Sequence, residues 1–186
     1  MVPEHESVEI DAGWDDLARA RSGSQKAWRV LFEQYSPRLL RMAALMTGSA
    51  DSARDCVQET FLRILNSAVH DRSGSVRAYL STITYRLALK ERMRLNRLVS
   101  PGAVEPTSPD PSPLDVVITD ERQREVARVL LTLPAHHREI LILRLHGEHS
   151  YEEIAEITEI PLGTVKSRIF HAVKSARIQM KQRGVV

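Results

Sequence analysis

Between residues 100 and 120 the chain carries Pro101, Pro106, Pro109, Pro111 and Pro113, together with Gly102. No Lys or Arg interrupts them, whereas Glu105, Asp110, Asp115 and Asp120 lie among them. Proline lacks the backbone donor that a helix or a central strand needs. Such a stretch buries little apolar surface and is expected to be extended or disordered. It therefore divides a chain of 186 residues, long enough for one domain or two small ones. The expected organisation is an acidic tail over 1–13, a first domain over 14–98, an acidic Pro-rich linker over 99–119 and a second domain over 120–186.

Both flanking segments read as helical, and no alternating pattern with hairpin turns appears. The fold class expected is all-α. In the first half, Trp14 to Arg21 reads as a short helix ending near Gly23. Ser24 can cap a helix that holds Trp28, Leu31, Phe32 and Tyr35. Pro37 is expected to kink or divide that helix before Leu39 to Met46, and Gly48 ends it. A third helix from Asp51 places Val57, Phe61, Ile64, Leu65 and Ala68 on one face, and Asp55, Gln58, Glu59 and Arg63 on the other. After a polar loop, Asn66 to Ser75, a helix over Val76 to Leu98 turns Tyr79, Leu80, Ile83, Leu87 and Leu98 inward and most of its Arg outward.

In the second half, Glu121 to Thr132 turns Val126, Val129 and Leu130 inward, and Leu133-Pro134 breaks the run. Ala135 to His146 is a strongly apolar helix that Gly147 is expected to end as a C-cap. Ser150 and Glu153 then form a capping-box pattern, and Ile154, Ala155 and Ile157 give the next helix an apolar face. Pro161 suits the first turn of a further helix, in which Val165, Ile169, Ala172, Val173, Ala176 and Met180 recur at inward spacing. Lys166, Ser167, Arg168, His171, Lys174 and Arg177 are left outside. This is the pattern of a helix-turn-helix, the motif that places a helix in the major groove of DNA. The turn Thr158-Glu159-Ile160 lacks a glycine, so a left-handed Glu159 would cost about 1 kcal/mol.

Charge supports a polyanionic partner. The net charge is only +2, but it is segregated. Residues 1–16 carry Glu4, Glu6, Glu9, Asp11, Asp15 and Asp16 with no Lys or Arg. Residues 72–98 carry Arg72, Arg77, Arg86, Lys90, Arg92, Arg94 and Arg97 against the single acid Glu91, and no Asp or Glu follows Pro161. Two separated basic helices suggest two contacts with nucleic acid. The single Cys56 excludes an intrachain disulfide and a multi-Cys zinc site, and reads as a small buried or half-buried side chain. No apolar run approaches membrane-spanning length and the acidic N-terminus is no signal peptide, so a cytoplasmic location without membrane contact is expected.

These residues resemble a family. Tyr35-Ser-Pro-Arg-Leu, Asp55-Cys-Val-Gln-Glu-Thr-Phe-Leu-Arg and Val76-Arg-Ala-Tyr-Leu resemble the promoter-melting domain of bacterial sigma factors of the extracytoplasmic-function (ECF) type. Leu133-Pro-Ala-His-His-Arg-Glu, Ser150-Tyr-Glu-Glu-Ile-Ala and Gly163-Thr-Val-Lys-Ser-Arg resemble the family's second DNA-binding domain. The likeness runs from about Asp15 to Gln182 in the family's order. It implies a non-catalytic subunit that binds core RNA polymerase, directs it to promoters and helps to open them, with no cofactor and no metal. It implies that Asp55, Gln58 and Glu59 dock on the clamp helices of the largest polymerase subunit, and that the second-largest subunit's flap is a further contact. Arg77, Tyr85, Arg86, Lys90 and Arg94 are implied at the proximal promoter element. Thr164, Lys166, Ser167, Arg168, His171 and Lys174 are implied at the distal element. The linker would follow the polymerase's RNA path, and an anti-sigma factor is an expected partner. Arg86 and Lys90 stand where the family usually has Asn and Asp, and His171 where it often has Arg, so base preferences are expected to differ.

Two other function classes account for less of the chain. A helix-turn-helix regulator that never joins polymerase explains the second half but not the first. A metal-dependent enzyme using His136, His137, His146 and His149 finds no acid pair or nucleophile beside them, and His146 and His149 straddle a helix end. A surface role for these histidines is expected.

Overall fold

The computed structural model describes residues 12–66, 74–98 and 120–184. The Pro-rich linker, the tail over residues 1–11 and most of the loop between Asn66 and Ser75 lie outside the described residues. Among those described there are eight helices and no strand: α1 Ala12–Arg21, α2 Gln25–Thr47, α3 Ala50–Asn66, α4 Val76–Leu98, α5 Glu121–Thr132, α6 Ala135–Leu145, α7 Tyr151–Thr158 and α8 Leu162–Gln182. None is long and apolar enough to cross a membrane. The all-α expectation holds.

Local chemistry sets many of the helix ends. Ser24 caps α2 by accepting from the Ala27 N–H, and Gly48 closes it at φ 71°. Asp120 caps α5 through the Gln123 N–H. Ser75 accepts from the Ala78 N–H at 3.1 Å at the start of α4. Ser150 and Glu153 complete the capping box of α7 in both directions. Glu159 does take the left-handed conformation, at φ 57°, and its N–H reaches the Ala155 carbonyl.

Of the two outcomes expected at Pro37, a kink or a division, the helix does not divide: α2 runs unbroken to Thr47. An interior proline costs about 3 kcal/mol, but Leu31, Tyr35, Leu39 and Met42 are buried on either side of it. Each such side chain contributes about 1.5–3 kcal/mol by burial, so tertiary packing outweighs the local penalty. Gly147 is not a left-handed C-cap. The capping position of α6 is His146 in right-handed geometry, and the left-handed residue is Glu148, at φ 55°. Gly147 is needed for space instead: a Cβ there would stand 2.4 Å from the His149 ring and 2.6 Å from the Leu143 carbonyl oxygen.

In the first half α1–α4 enclose Trp14, Leu17, Met42, Met46, Phe61, Ile64 and Leu80. A buried hydroxyl pair, Thr60 and Thr84 at 2.9 Å, links α3 to α4; each also lies within reach of the carbonyl four residues back, and with one proton apiece one hydroxyl donates across the pair and the other to its carbonyl. In the second half Leu130, Ile140, Leu143, Ile154, Ile157, Val165 and Ala172 are buried between α5 and α8. The buried residues of the two halves join one cluster. Helix α2 meets α5 and α6, and α4 meets α7.

This packing overturns the surface role expected for the histidines. His149 is fully buried, and its Nε2 lies 2.8 Å from the Ser81 hydroxyl of α4. Burial depresses its pKa; Glu153 acts in the opposite sense, and Arg77 and Arg38 lower it further. Burial beside Arg41 pushes His146 down to about 4. His136 alone of the four is plainly exposed. Among the described residues no group of His, Cys, Asp or Glu could hold a metal ion.

A stability prediction follows from the buried imidazoles. Unfolded histidine titrates near 6.5, whereas these two titrate lower when folded. Between the two values the unfolded chain holds more protons, so stability falls as pH falls. For His146 the loss runs from about pH 6.5 to about 4 and reaches about 3 kcal/mol. Denaturant unfolding followed across that window should show this decline, and His146→Gln should flatten part of it. A stability independent of pH there would contradict the neutral, buried rings.

Candidate polymerase and promoter interfaces

Helix α3 turns Val57, Phe61 and Ile64 into the core and leaves Asp55 and Gln58 exposed, with Glu59 half-exposed. Glu59 accepts from Arg63 one turn on, at 2.7 Å. The three residues expected to share one docking surface divide between two grooves. Gln58 rims an apolar groove of about 580 Å3 between α2 and α3, lined by Trp28, Phe32, Pro37, Leu40, Val57, Phe61 and Leu62. Phe32 is 43% exposed and Leu62 47%. The Phe32 ring lies 5.0 Å from Phe61, which meets Trp28 edge-on at 5.3 Å. Phe32 stands one residue beyond the buried Leu31, which carries it to the rim.

Asp55 and Glu59 line the other groove, a polar one shared with Lys90, Glu91 and Arg94 of α4. Residues expected at the polymerase and residues expected at the proximal promoter element are thus neighbours there. Glu91 is held at about 2, chiefly by the Arg94 hydrogen bond against a smaller opposing effect of burial, with the Ser52 hydroxyl adding to it. Cys56 lies at the base of this groove. Burial, then the charges of Glu91 and Asp55, push its thiol up to about 11. A thiol protonated at neutral pH is a poor nucleophile.

Three other basic residues of α4, Arg77, Arg86 and Arg92, face the second half of the chain. Arg77 meets the Glu153 carboxylate at 3.1 Å, Arg92 meets Glu139 at 2.6 Å, and Arg86 pairs with Glu159. From α2, Arg38 meets Glu148 at 2.9 Å. Tyr85 is buried, and its hydroxyl donates to Glu139 at 3.1 Å. Burial and the Glu139 charge raise its pKa well above the ordinary tyrosine value. Of the five residues expected at the proximal element, Lys90, Arg86 and Arg94 are exposed, Arg77 is half-buried and Tyr85 is buried.

Helix α8 buries Val165, Ile169 and Ala172 and presents Lys166, Ser167, His171 and Lys174 outward. Thr164 and Arg168 are half-exposed. The charge of Arg168 is felt at both Tyr85 and His137, which puts it on the flank nearest α4 and α6. Lys166 and Lys174 lie on another flank, around an apolar groove with Tyr151, Phe170, Val173 and Ile178. Phe170 is 66% exposed and Ile178 52%. Neither was singled out from the sequence. The available signal was a large apolar residue off the inward stripe, set among lysines.

The family described as Sigma-70 region 2 matches residues 31–98, and Sigma-70 region 4 matches residues 123–175. The ECF RNA polymerase sigma factor SigL of Mycobacterium tuberculosis is 31% identical over 172 residues, spanning 91% of this chain and 97% of that protein. Among solved structures, CnrH in complex with the cytosolic domain of CnrY shares the fold, with a TM-score of 0.67 at 22% identity, over 92% of this chain and 99% of that one. So does the sigma factor RpoE of Bartonella quintana in complex with the anti-sigma factor NepR, with a TM-score of 0.64 at 24% identity, over 84% and 98%.

Proposed function

The chain belongs to the ECF RNA polymerase sigma factors, and from that membership we propose which of its surfaces makes each contact. The protein binds core RNA polymerase and directs it to promoters. It acts by binding; the polymerase performs the chemistry. The alternative, a regulator that works apart from polymerase, is not favoured, because it leaves the first half unexplained. One observation carries the assignment: a single chain joins an exposed docking face on α3 to a capped helix-turn-helix that ends in a basic helix.

The clamp helices of the largest polymerase subunit would dock on α3, at Gln58 and the apolar groove beside it, with Asp55 and Glu59 as the acidic margin. An exposed aromatic in a groove is the kind of anchor that dominates interface energetics, so Phe32 joins the docking set. Replacing Gln58 and Glu59 by Ala should leave folding nearly intact, since exposed changes cost under about 0.5 kcal/mol. Phe32→Ala should weaken binding to core polymerase further. Titration of fluorescent protein with core enzyme measures this, and unchanged affinity for all three substitutions would remove α3 from the docking surface.

Helix α4 would meet the opened strand of the proximal element, with Arg77, Arg86, Lys90 and Arg94 on phosphates and Tyr85 beside an unstacked base. Helix α8 would read the distal element through Arg168, flanked by Thr164, Lys166, Ser167 and His171, while Lys174 meets phosphate. The groove around Phe170 and Ile178 suits the flap of the second-largest subunit. An anti-sigma factor is the proposed inhibitor, as NepR is for RpoE, and the linker would follow the RNA path of the polymerase. The working compartment would be the cytoplasm.

Arg168→Ala should lose discrimination between matched and mismatched distal elements by about 1–3 kcal/mol, the value of a bidentate base contact. Lys174→Ala should weaken binding to every sequence alike and lower the salt slope by about one. Titrating one set of promoter variants at several salt concentrations separates the two. An equal loss for every variant in Arg168→Ala would move that residue to the phosphate contacts.

A further inference from the structure

Three histidines stand together where α6 packs on α8. The His136 and His137 rings, in the first turn of α6, lie 4.3 Å apart and edge-on. His171 approaches from α8, one turn beyond Arg168, and the charges of both reach His137. His136 and His171 are exposed, and His137 is half-buried. Among the described residues no such group could hold a metal ion, so the chemistry here is that of charge. A histidine kept for packing has its ring nitrogens bonded, as His149 has to Ser81 and Glu153. His137 Nδ1 is buried without a partner.

Charge around the cluster is one-sided. Arg168 and His171 come from α8, Arg138 follows on α6, and Arg92 reaches across from α4 to the same turn. The one carboxylate of α6, Glu139, is taken by Arg92 at 2.6 Å and by the Tyr85 hydroxyl. Helix α8 has no acid. Neither helix has a carboxylate left to hold an added positive charge. Burial, then His136, His171 and Arg168, accordingly lower the pKa of His137. Without an anion beside it, that ring is neutral at neutral pH.

We propose that His136, His137 and His171 form a titratable site for a DNA phosphate, through which promoter binding takes up protons and tightens as pH falls. This rests on the assignment of α8 to the distal element. Arg168 is assigned there to a base edge, and the sugar-phosphate backbone borders the groove that such a helix enters. A cluster one turn along α8 and across to α6 is placed to meet that border. A neutral imidazole offers a phosphate one N–H; an imidazolium offers two and a positive charge, and bonds assisted by charge are about twice as strong. The phosphate supplies the negative charge that α6 and α8 lack, and so raises the affinity of the rings for protons. The bound state then holds more protons than the free one, and by linkage binding strengthens as pH falls. The histidines come from α6 and α8 alone, so the site needs no residue of the first half.

The test measures how holoenzyme, core polymerase loaded with the full chain, binds a labelled promoter fragment that core enzyme uses only with this protein. Wild type is compared with His136→Gln/His171→Gln and with His136→Gln/His137→Gln/His171→Gln, from about pH 8 to about pH 6, which spans the ordinary histidine value. The double variant changes exposed rings only, and it decides the matter if loss of His137 disturbs the fold. Every other titrating group, His146 and His149 included, is common to the three chains and cancels in the ratio of affinities. Over this range wild type should gain about tenfold on the triple variant, the worth of one charge-assisted bond, and a smaller factor on the double variant. The salt slope should steepen by about one in wild type and stay level in the triple variant. Equal pH profiles in wild type and the double variant overturn the proposal. If Arg168→Ala then still loses discrimination between distal elements, the histidine site alone has failed; if it does not, the assignment of α8 has failed as well.

Discussion

The Glu153 carboxylate is the point on which the arrangement turns. It accepts from the Ser150 N–H at 2.9 Å, which completes the capping box of α7. It also accepts the Arg77 guanidinium and the Ser75 hydroxyl of the first half, and lies 3.3 Å from His149 Nδ1. Ser75 is itself at the start of α4. One carboxylate therefore ties the opening turn of the helix-turn-helix to the opening turn of α4. Burial alone would raise its pKa, but the Ser150 N–H, Arg77 and His149 together hold it below the ordinary value. The group stays ionised, as a charge holding three donors should.

What was legible in the sequence was local. The capping box could be read because its two partners lie three residues apart, and Ser24 and Gly48 mark helix ends by the same short-range chemistry. The inward stripes of α3 and α8 were legible because helical period sorts apolar from polar. Glu159 was identifiable as strained because the turn offered no glycine, and it is left-handed.

What was not legible depends on partners far along the chain. His149 follows a glycine and a glutamate and reads as surface; Ser81, 68 residues earlier, buries it. Gly147 was read for its backbone freedom, whereas its role is to leave room for that ring. Pro37 leaves a kink and a division open in the sequence, and the core around α2 keeps the helix undivided. Glu139, Glu148 and Glu159 gave no hint of their arginines, because charge complementarity between two halves has no period. The same limit hid Phe170 and the groove at Gln58.

The central claim is that this chain gives core polymerase a promoter choice it lacks. The most direct measurement sequences the 5′ ends of transcripts made in vitro from chromosomal DNA by core enzyme with and without the protein. The account predicts a new set of start sites that appears only with the protein and shares two upstream elements at fixed spacing. Identical start sites in both reactions, with the protein bound to core, would contradict it.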